Sequence, residues 1–424
     1  MNAGLHVTPF VAAAILIVLA AALGYLNQRF LRLPQSVGLT GMGAIASLAV
    51  IGIDHLVPGN DLGPSVMRFI DSLDFHATLM DGMLSFLLFA GALHVNWDEM
   101  RRGRWPILAL STGGVALSTV LIGGGFYLLT GALGLTVPLV WCLVFGALIS
   151  PTDPVAVMSV LRTARVTPTL KATIAGESLF NDGVGVVIFT IILETALGGA
   201  PFSFGHALQL FALQAVGGVL LGLAVGWLAY WAMHSIDEYN VEVMLSLAVV
   251  MGGYALAHRL HVSGPVAMAV AGLLIGNHGV KHAMSEDTRD YLLKFWSLID
   301  DILNAVLFLL IGLVVVTIPF DPRMILAGII AIPLALAGRG LSVLIPLAGL
   351  RPFLSLGRLA APTLIWGGLR GGISVALALG LPESAARSPA LTATYIIVLF
   401  SVLVQGGTIG RLLERLQPKP STAT

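Results

Sequence analysis

Long apolar stretches, separated by short polar segments, run along almost the whole chain. A helix needs roughly 20 predominantly apolar residues to cross the hydrocarbon core of a bilayer. Thirteen stretches meet this requirement. They lie at 8–27, 36–54, 74–95, 106–130, 138–161, 172–197, 206–233, 240–258, 262–279, 295–318, 323–350, 360–381 and 390–410. The pattern predicts an all-α polytopic membrane protein with about 13 transmembrane helices, and 57–73 is a candidate surface helix.

The basic residues are distributed unevenly between the segments that connect these spans. An odd number of spans places the two termini on opposite sides of the membrane. With the N-terminus outside, the cytoplasmic segments carry 16 Lys and Arg residues, the outside segments carry 4, and 2 arginines remain inside spans. Because cytoplasmic loops are enriched in Lys and Arg, this asymmetry predicts an external N-terminus and a cytoplasmic C-terminus. No basic residue precedes the first span, so we do not expect a cleavable signal peptide.

The composition supports the same class and excludes others. Of the 424 residues, 57% are hydrophobic and 10% are charged, whereas a soluble domain has about 25% charged residues. The formal net charge is zero, which disfavours a nucleic-acid-binding protein. With one cysteine, Cys142, the chain cannot form an internal disulfide. Because it has no phosphate-binding loop, HExxH motif or nucleophile elbow, we expect neither an ATP-driven pump nor an enzyme, but one integral membrane domain over residues 1–424.

Several charged residues fall at membrane depth, where an ionisable side chain costs several kcal/mol and marks a functional site by default. They are Asp153, Glu177, Asp182, Arg339 and Arg370. Asp300 and Asp301, at the start of the tenth span, are candidates for a position near a cavity mouth, but the preferred interpretation is that they are interfacial or solvated charges. Asn304 is interpreted as a residue that bonds another helix.

The fifth span, VFGALISPTDPVAVMSVL, contains two prolines in the middle of its apolar run. Pro151 and Pro154 remove backbone donors and clash with the preceding turn, so the helix is predicted to break at Thr152 and Asp153. Non-helical backbone at this depth is tolerated only inside protein or beside a water-filled cavity. Freed carbonyl groups and the Thr152 hydroxyl suit a bare alkali cation. Asp153 has two interpretations, as a ligand of the cation or as a cap of the following half-helix without ion contact.

The twelfth span, WGGLRGGISVALAL, is interrupted by two pairs of glycines that flank Arg370. An arginine at this depth can neutralise the negative C-terminal end of a half-helix. Two interrupted helices in corresponding positions of two halves are the best sequence indication of a transporter site. The fifth and twelfth spans run in opposite directions, as expected for inverted repeats made of spans 1–6 and 8–13.

The sixth span contains AGESLFNDGVGVV, in which four polar residues share one helix face. At 100° per residue they fall within an arc of ~140° and can face one cavity. They are Glu177, Ser178, Asn181 and Asp182. A buried carboxyl group holds a proton or a cation but not readily both, and this competition is sufficient for exchange. We assign that role to Asp182, and we expect Glu177 to pair with Arg339 of the eleventh span because two unpaired buried charges are costly.

The sequence, order and spacing of SPTDPVAV, GESLFNDGVGVV, LAGRG and WGGLRGGISVALAL resemble the NhaP/NHE branch of the monovalent cation–proton antiporters. The resemblance covers nearly the whole chain. It implies an NhaA/NhaP-like fold, in which two interrupted helices cross at mid-membrane, and a homodimer. It also implies a dimerisation subdomain from spans 1–3 and 7–10 (8–95 and 206–318) and an ion-transporting core from spans 4–6 and 11–13 (106–197 and 323–410). The core would move against the dimerisation subdomain in an elevator-like cycle.

By the same resemblance, Asp182 is the aspartate that binds the ion and the proton. Asn181 stands where electrogenic relatives carry a second aspartate, which implies electroneutral exchange of one proton per cation. Matched positions that line the site are Thr152, Asp153 and Ser178, and matched supporting positions are Glu177 and Arg339. The Na⁺ ligands are therefore expected among Asp182, Thr152 and Ser178, with Arg370 as a further supporting charge. The long cytoplasmic regulatory tail of the animal exchangers has no counterpart in this sequence.

The leading hypothesis is secondary active transport, in which cytoplasmic Na⁺ is exchanged for external H⁺. Li⁺ and K⁺ are other candidate ions, and no chemical cofactor is expected. The expected setting is the lipid of a bacterial inner (plasma) membrane, with a role in pH homeostasis. Two alternatives remain: a gated cation channel built on the same broken helices, and a sodium-coupled symporter of a small organic anion. A symporter needs polar groups beyond the ion site, and no such additional cluster is evident in the sequence.

Overall fold

The computed structural model describes residues 8–57, 62–161, 166–198, 203–280, 283–318, 321–350, 356–357 and 359–416. The regular elements within these residues are all helices. In chain order they are α1 (Phe10–Leu31), α2 (Gln35–Leu56), α3 (Leu62–Ser72), α4 (Phe75–Leu93), α5 (Trp97–Arg102), α6 (Arg104–Ala132), α7 (Leu139–Ile149), α8 (Val155–Leu161), α9 (Pro168–Ala196), α10 (Phe204–His234), α11 (Tyr239–Arg259), α12 (Gly264–Leu274), α13 (Glu286–Thr317), α14 (Pro322–Gly349), α15 (Ala360–Trp366), α16 (Gly372–Leu379) and α17 (Arg387–Leu416).

The predicted spans agree with these helices. Ten helices in the described part of the chain are long and apolar enough to cross a membrane. The other three predicted spans correspond to the broken pair α7–α8, to α12 with the π-helical turn Ile275–Gly279 that extends it, and to the broken pair α15–α16. A helix, α3, also occupies the candidate surface segment. The all-α multi-pass architecture with two interrupted helices is thus confirmed.

The largest boundary error concerns α13, which was expected to begin near residue 295. The helix begins nine residues earlier, at Glu286, because Ser285 caps it and its hydroxyl accepts a hydrogen bond from the Thr288 backbone N–H. Glu286 and Asp287 then place two acidic side chains in the first turn, where they interact favourably with the helix dipole. The polar first turns did not satisfy the hydropathy criterion, although their capping residues favour a helix.

The helices pack in two sets. In the first set, which we call the frame helices, α2 and α4 pack against α13, while α10 and α4 pack against α12. In the second set, the site helices, α6 packs against α7 and α14, α7 against α9, and α14 against α17. The broken helices lie inside the second set, where Phe145 and Leu148 of α7 and Leu377 of α16 are completely or almost completely buried. The site helices therefore surround both interruptions.

Glycine allows α6 and α7 to approach closely. A methyl group on Gly146 of α7 would overlap the Thr119 carbonyl oxygen of α6 and would lie 2.8 Å from the Gly123 backbone nitrogen. Small residues at such crossings let membrane helices pack backbone to backbone. The stacked rings of Phe126 and Phe145, with centroids 4.0 Å apart, lie in the same interface.

We predict that Gly146→Ala destabilises the protein by about 1–3 kcal/mol, because the added methyl group forces the two backbones apart. Gly124→Ala on α6 is the matched control, since a methyl group there meets nothing within 4 Å. The free energy of unfolding of the purified proteins in mixed micelles is the measurement. Equal stability of the two variants would show that the α6–α7 crossing tolerates separation.

Candidate functional site

The two broken helices meet at their interruptions. The segment between α7 and α8 and the segment between α15 and α16 lie side by side, and the Asp153 N–H donates to the Leu369 carbonyl oxygen at 2.8 Å. Pro151 and Pro154 prevent the first segment from being helical. Paired glycines allow the second segment to pass close to its neighbours: a methyl group on Gly371 would overlap the Asp153 carboxylate. The crossing therefore places four half-helix ends in the protein interior.

Two arginines neutralise the C-terminal ends of half-helices. Arg370 lies between α15 and α16, yet its Nη1 donates to carbonyl oxygens at the end of α7, to Ser150 at 2.5 Å and to Pro151 at 3.0 Å. Arg339 of α14 donates from Nε and Nη2 to the Leu364 carbonyl oxygen near the end of α15, at 3.1 and 2.9 Å. Each arginine thus supplies positive charge where unpaired carbonyl groups accumulate.

Asp153 caps the N-terminal end of the half-helix α8. Its Oδ1 accepts a hydrogen bond from the Val155 N–H at 2.8 Å, in the first turn of α8. The negative charge lies where the helix dipole is positive. Asp153 is nevertheless only half-buried and also lines a cavity, so it combines a capping contact with an exposed face toward that cavity.

Glu177 and Arg339 form a buried bidentate ion pair. Arg339 Nη1 and Nη2 donate to Glu177 Oε1 and Oε2 at 2.8 and 2.9 Å, and the two residues are 6% and 1% exposed, respectively. The parallel geometry is the strongest form of a guanidinium–carboxylate contact. The pair joins α9 to α14, and through Leu364 it also holds α15.

Asn181 ties the unwound segment to α9. Its Nδ2 donates to Thr152 Oγ1 at 2.6 Å and to Glu177 Oε1 at 2.9 Å, and its Oδ1 accepts from the Thr152 N–H at 3.3 Å. The hydroxyl groups of Thr152 and Ser178 are 3.3 Å apart. An amide both donates and accepts, whereas an ionised carboxylate only accepts. The side chain at position 181 therefore locks the backbone beside the predicted ion site.

Asp182 differs from the other acidic residues of α9. It is 7% exposed, and among the described residues no group donates a hydrogen bond to its carboxyl group or forms an ion pair with it. It follows Ser178 by four residues, so both lie on one face of α9. The carboxyl group lines a cavity of about 540 Å³ together with Asp153. Since Glu177 is neutralised by Arg339, Asp182 is the buried acid of α9 whose carboxyl group is not paired with a cation.

The cavity lies between the two sets of helices. One wall is formed by α8, α9 and the start of α16, and the opposite wall by α4 and α13. It extends to Asn96, Glu99 and Lys171, where the Thr169 hydroxyl donates to Glu99 Oε2 at 2.6 Å and ties α5 to the start of α9. The walls are largely apolar, and the oxygen-bearing side chains that interrupt them, among them Asp153 and Asp182, are the groups that suit a hard monovalent cation. Within the described ranges, no cluster of three or more His, Cys, Asp or Glu residues fits a resident metal ion.

The opposite wall carries polar residues that the sequence identifies only in part. His94, which directly follows α4, and Asp300, Asp301 and Asn304 on α13 all line the cavity. The two aspartates therefore occupy the less favoured of their two expected positions, beside a cavity, and Asn304 was expected to bond another helix. Asn304 instead donates within its own helix, from Nδ2 to Asp300 Oδ1 at 2.9 Å. The spacing 297, 300, 304 and 307 of the α13 residues on the cavity wall marks one helix face and is the signal that could have revealed them.

Comparisons with known proteins agree over almost the whole chain. A family described as sodium/hydrogen exchanger, transmembrane, matches residues 15–415. The Na⁺/H⁺ antiporter NhaP of Pseudomonas aeruginosa is 48% identical over 409 residues, which cover 95% of this chain and 96% of that protein. The Na⁺/H⁺ antiporter NhaH of Halobacillus dabanensis is 32% identical over 95% of this chain and 97% of its own length.

A solved structure has the same fold. The sodium proton antiporter MjNhaP1 of Methanocaldococcus jannaschii, determined at pH 8, superposes with a TM-score of 0.72. The match covers 96% of this chain and 99% of that structure at 21% sequence identity. The arrangement of helices is therefore shared even where the sequences have diverged. Together, the family match, the two bacterial relatives and the multi-pass helical architecture show that this chain belongs to the transmembrane sodium/hydrogen exchanger family.

Proposed function

We propose that the protein is a secondary active transporter that exchanges Na⁺ for H⁺ across the membrane, with both ions competing for the carboxyl group of Asp182. The observation that carries this proposal is the position of that group, which is buried, has no partner among the described residues, and lines a cavity. Burial favours the protonated carboxyl group, and a bound cation favours the carboxylate. The two bacterial relatives are both named as Na⁺/H⁺ antiporters.

The direct ligands proposed for Na⁺ are Asp182, Thr152 and Ser178. Asp182 lines the cavity together with Asp153, whereas Thr152 and Ser178 are buried beside it and are not among its lining residues. Four residues have a supporting role: Glu177, Asn181, Arg339 and Arg370. Their contacts hold the unwound segments and neutralise the half-helix ends, so the oxygen ligands keep a fixed arrangement. The transported ions are the substrates, and we propose no additional cofactor.

The cavity suggests which side of the membrane has access to Asp182. It opens toward Asn96, Glu99 and Lys171, which lie in or beside loops that the distribution of basic residues assigns to the cytoplasm. On the opposite side of the crossing, His76 Nδ1 of α4 lies 2.9 Å from the Ala376 carbonyl oxygen of α16. We infer that this conformation is open to the cytoplasm, with an external N-terminus and a bacterial plasma membrane as the setting.

The transport cycle is proposed to be a movement of the site helices against the frame helices. These sets correspond to the core (106–197 and 323–410) and the dimerisation subdomain (8–95 and 206–318) expected from the family resemblance. Packing supports this division, because the crossing and its ion pairs lie inside one set. A homodimer would hold the frame helices still while the core carries the ion in an elevator-like step.

We predict that Asp182→Asn abolishes exchange, with a rate at least about 100-fold below that of the original protein, because an amide cannot alternate between proton and cation. Purified protein in liposomes with an internal pH dye, challenged with Na⁺, Li⁺ or K⁺, gives the measurement. Glu194→Gln is the control, since Glu194 is exposed on the same helix. Cation-evoked proton movement that survives in folded Asp182→Asn would exclude Asp182 as the exchange site, and single-channel currents would indicate a channel instead.

We predict that exchange by the original protein is electroneutral. Position 181 carries an amide that is engaged by Thr152 and Glu177, so Asp182 is left as the carboxyl group that carries one proton or one Na⁺. The exchange rate should differ by less than about 20% between vesicles whose membrane potential is clamped with K⁺ and valinomycin and vesicles whose potential is left free. A rate that follows the imposed potential would disprove one-for-one exchange and would leave the antiport itself intact.

We predict that Arg339→Gln lowers the free energy of unfolding by about 3–5 kcal/mol, because it leaves the Glu177 carboxylate buried without a counter-charge. Unfolding in mixed micelles measures the change. Arg102→Gln is the matched control: its pair with Glu99 has a similar distance of 2.9 Å, but its side chain is 69% exposed, and loss of such a pair costs about 0–1 kcal/mol. If both variants were equally stable, the buried pair would have no supporting role.

A further inference from the structure

One face of α13 forms a polar path toward the crossing. Ser297, Asp300, Asn304 and Leu307 all line the cavity, and their spacing places them along one side of the helix. At the inner end of this face, Leu307 packs so closely on Gly372 that a methyl group there would overlap the leucine side chain. Asp300 precedes Leu307 by seven residues, which is about 10 Å along the helix axis toward the proposed cytoplasmic opening.

Asp300 has a negative charge without a positive partner at hydrogen-bond distance. None of the described Lys, Arg and His residues forms an ion pair with it. Its Oδ1 accepts from Asn304 Nδ2 at 2.9 Å, and its carboxyl group interacts electrostatically with Asp153, Asp301 and His94. The side chain is thus held in a fixed position, within electrostatic range of an acid at the crossing.

A second feature of the same cavity indicates a ligand. Ser374, in the first turn of α16, lines the cavity, and it is 1% exposed. Its hydroxyl group has no hydrogen-bond partner among the described residues. A buried hydroxyl without a partner costs free energy unless it meets water or an ion. Ser374 therefore adds a buried hydroxyl group without a partner to the residues that line the same cavity as Asp300.

Asp300 and the two acids of the crossing lie on different sets of helices. Asp300 is on α13, a frame helix that packs on α2 and α4, whereas Asp153 and Asp182 lie among the site helices. If the site helices move and the frame helices do not, Asp300 stays on the cytoplasmic side throughout the cycle. An ion that approaches from outside would not pass it.

We propose that Asp300, oriented by Asn304, is a cation-holding site on α13 that receives Na⁺ from the cytoplasm and passes it to Asp182. The proposal rests on the antiport function proposed above. Asp300 is a second binding group for Na⁺, which concentrates the ion beside the exchange site without replacing Asp182, and Asn304 is its positioning residue. The expected effect is limited to one face of the membrane. Asp300 affects the capture of Na⁺ from the cytoplasmic face and leaves capture from the external face unchanged.

The test is the Na⁺ concentration for half-maximal exchange, measured in everted and in right-side-out membrane vesicles. Asp300→Asn should raise this concentration at the cytoplasmic face by roughly three- to tenfold, the size expected for loss of one negative charge from the wall of a partly screened cavity. At the external face it should change less than about twofold, and the maximal rate should be retained. Asp300→Glu should restore the original value.

Asp287→Asn is the matched control, because Asp287 lies on the same helix, carries the same charge and is exposed at the first turn. It should behave like the original protein at both faces. Equal half-saturation in Asp300→Asn and Asp287→Asn would overturn the proposal, and so would an equal rise at both faces. Absence of exchange in the original protein would instead refute the antiport function.

A second variant, in which a reagent restores the negative charge at position 300, tests the proposal if Asp300→Asn does not fold. In Asp300→Cys, a methanethiosulfonate reagent that attaches a sulfonate should lower the cytoplasmic half-saturation concentration, whereas a neutral reagent of similar size should not. The native Cys142 is buried and provides little background. The same response to both reagents would contradict a role for negative charge at this position.

Discussion

The interaction on which the site depends is the compensation of buried half-helix ends by charged side chains at the crossing of the two broken helices. Four half-helix ends lie in the protein interior, where their unpaired carbonyl and N–H groups have no bulk water to satisfy them. Arg370, from one broken helix, donates to Ser150 and Pro151 at the end of the other. The end of α15 is compensated in the same way by Arg339 of α14, so neither interruption could persist alone at this depth. The interrupted backbone is consequently a rigid feature of the site helices.

The same contacts determine which acid is available to an ion. Glu177 has two bonds from Arg339 and one from Asn181, so its charge is neutralised and its position fixed. Asp153 binds the first turn of α8, while Asp182 has no partner among the described residues. Three acids close in space thus have three different environments. This difference in environment, more than the number of carboxyl groups, is the physical basis for assigning exchange to Asp182.

The parts of the structure that follow from local chemistry were predictable from the sequence. Pro151 and Pro154 bracket the break in the fifth span, and the paired glycines around Arg370 are a comparable signal. Proline alone does not decide where a helix breaks, because Pro333 and Pro346 lie inside the continuous helix α14. The pairing of Glu177 with Arg339 was also foreseeable, because two unpaired buried charges are costly. The partner of Arg370 was not predictable, since sequence periodicity does not tell which half-helix end lies nearest to an arginine. A position of Asp300 beside a cavity was only the second of two interpretations for a related reason: a carboxylate near a predicted span end resembles an interfacial charge until tertiary packing shows the cavity beside it.

The contacts within the site helices differ from the contacts between the site helices and the frame helices. This difference indicates how the site can move. Inside the site helices, charged hydrogen bonds such as those of Arg339 and Arg370 join α7, α9, α14 and α15. Toward the frame helices, Leu307 meets Gly372 through an apolar contact, and apolar surfaces lack the directional bonds that fix one register. Sliding one set past the other would break few hydrogen bonds, whereas separating the two broken helices would expose buried charges. The geometry therefore favours movement of the whole crossing as one body over separate opening of either half-helix.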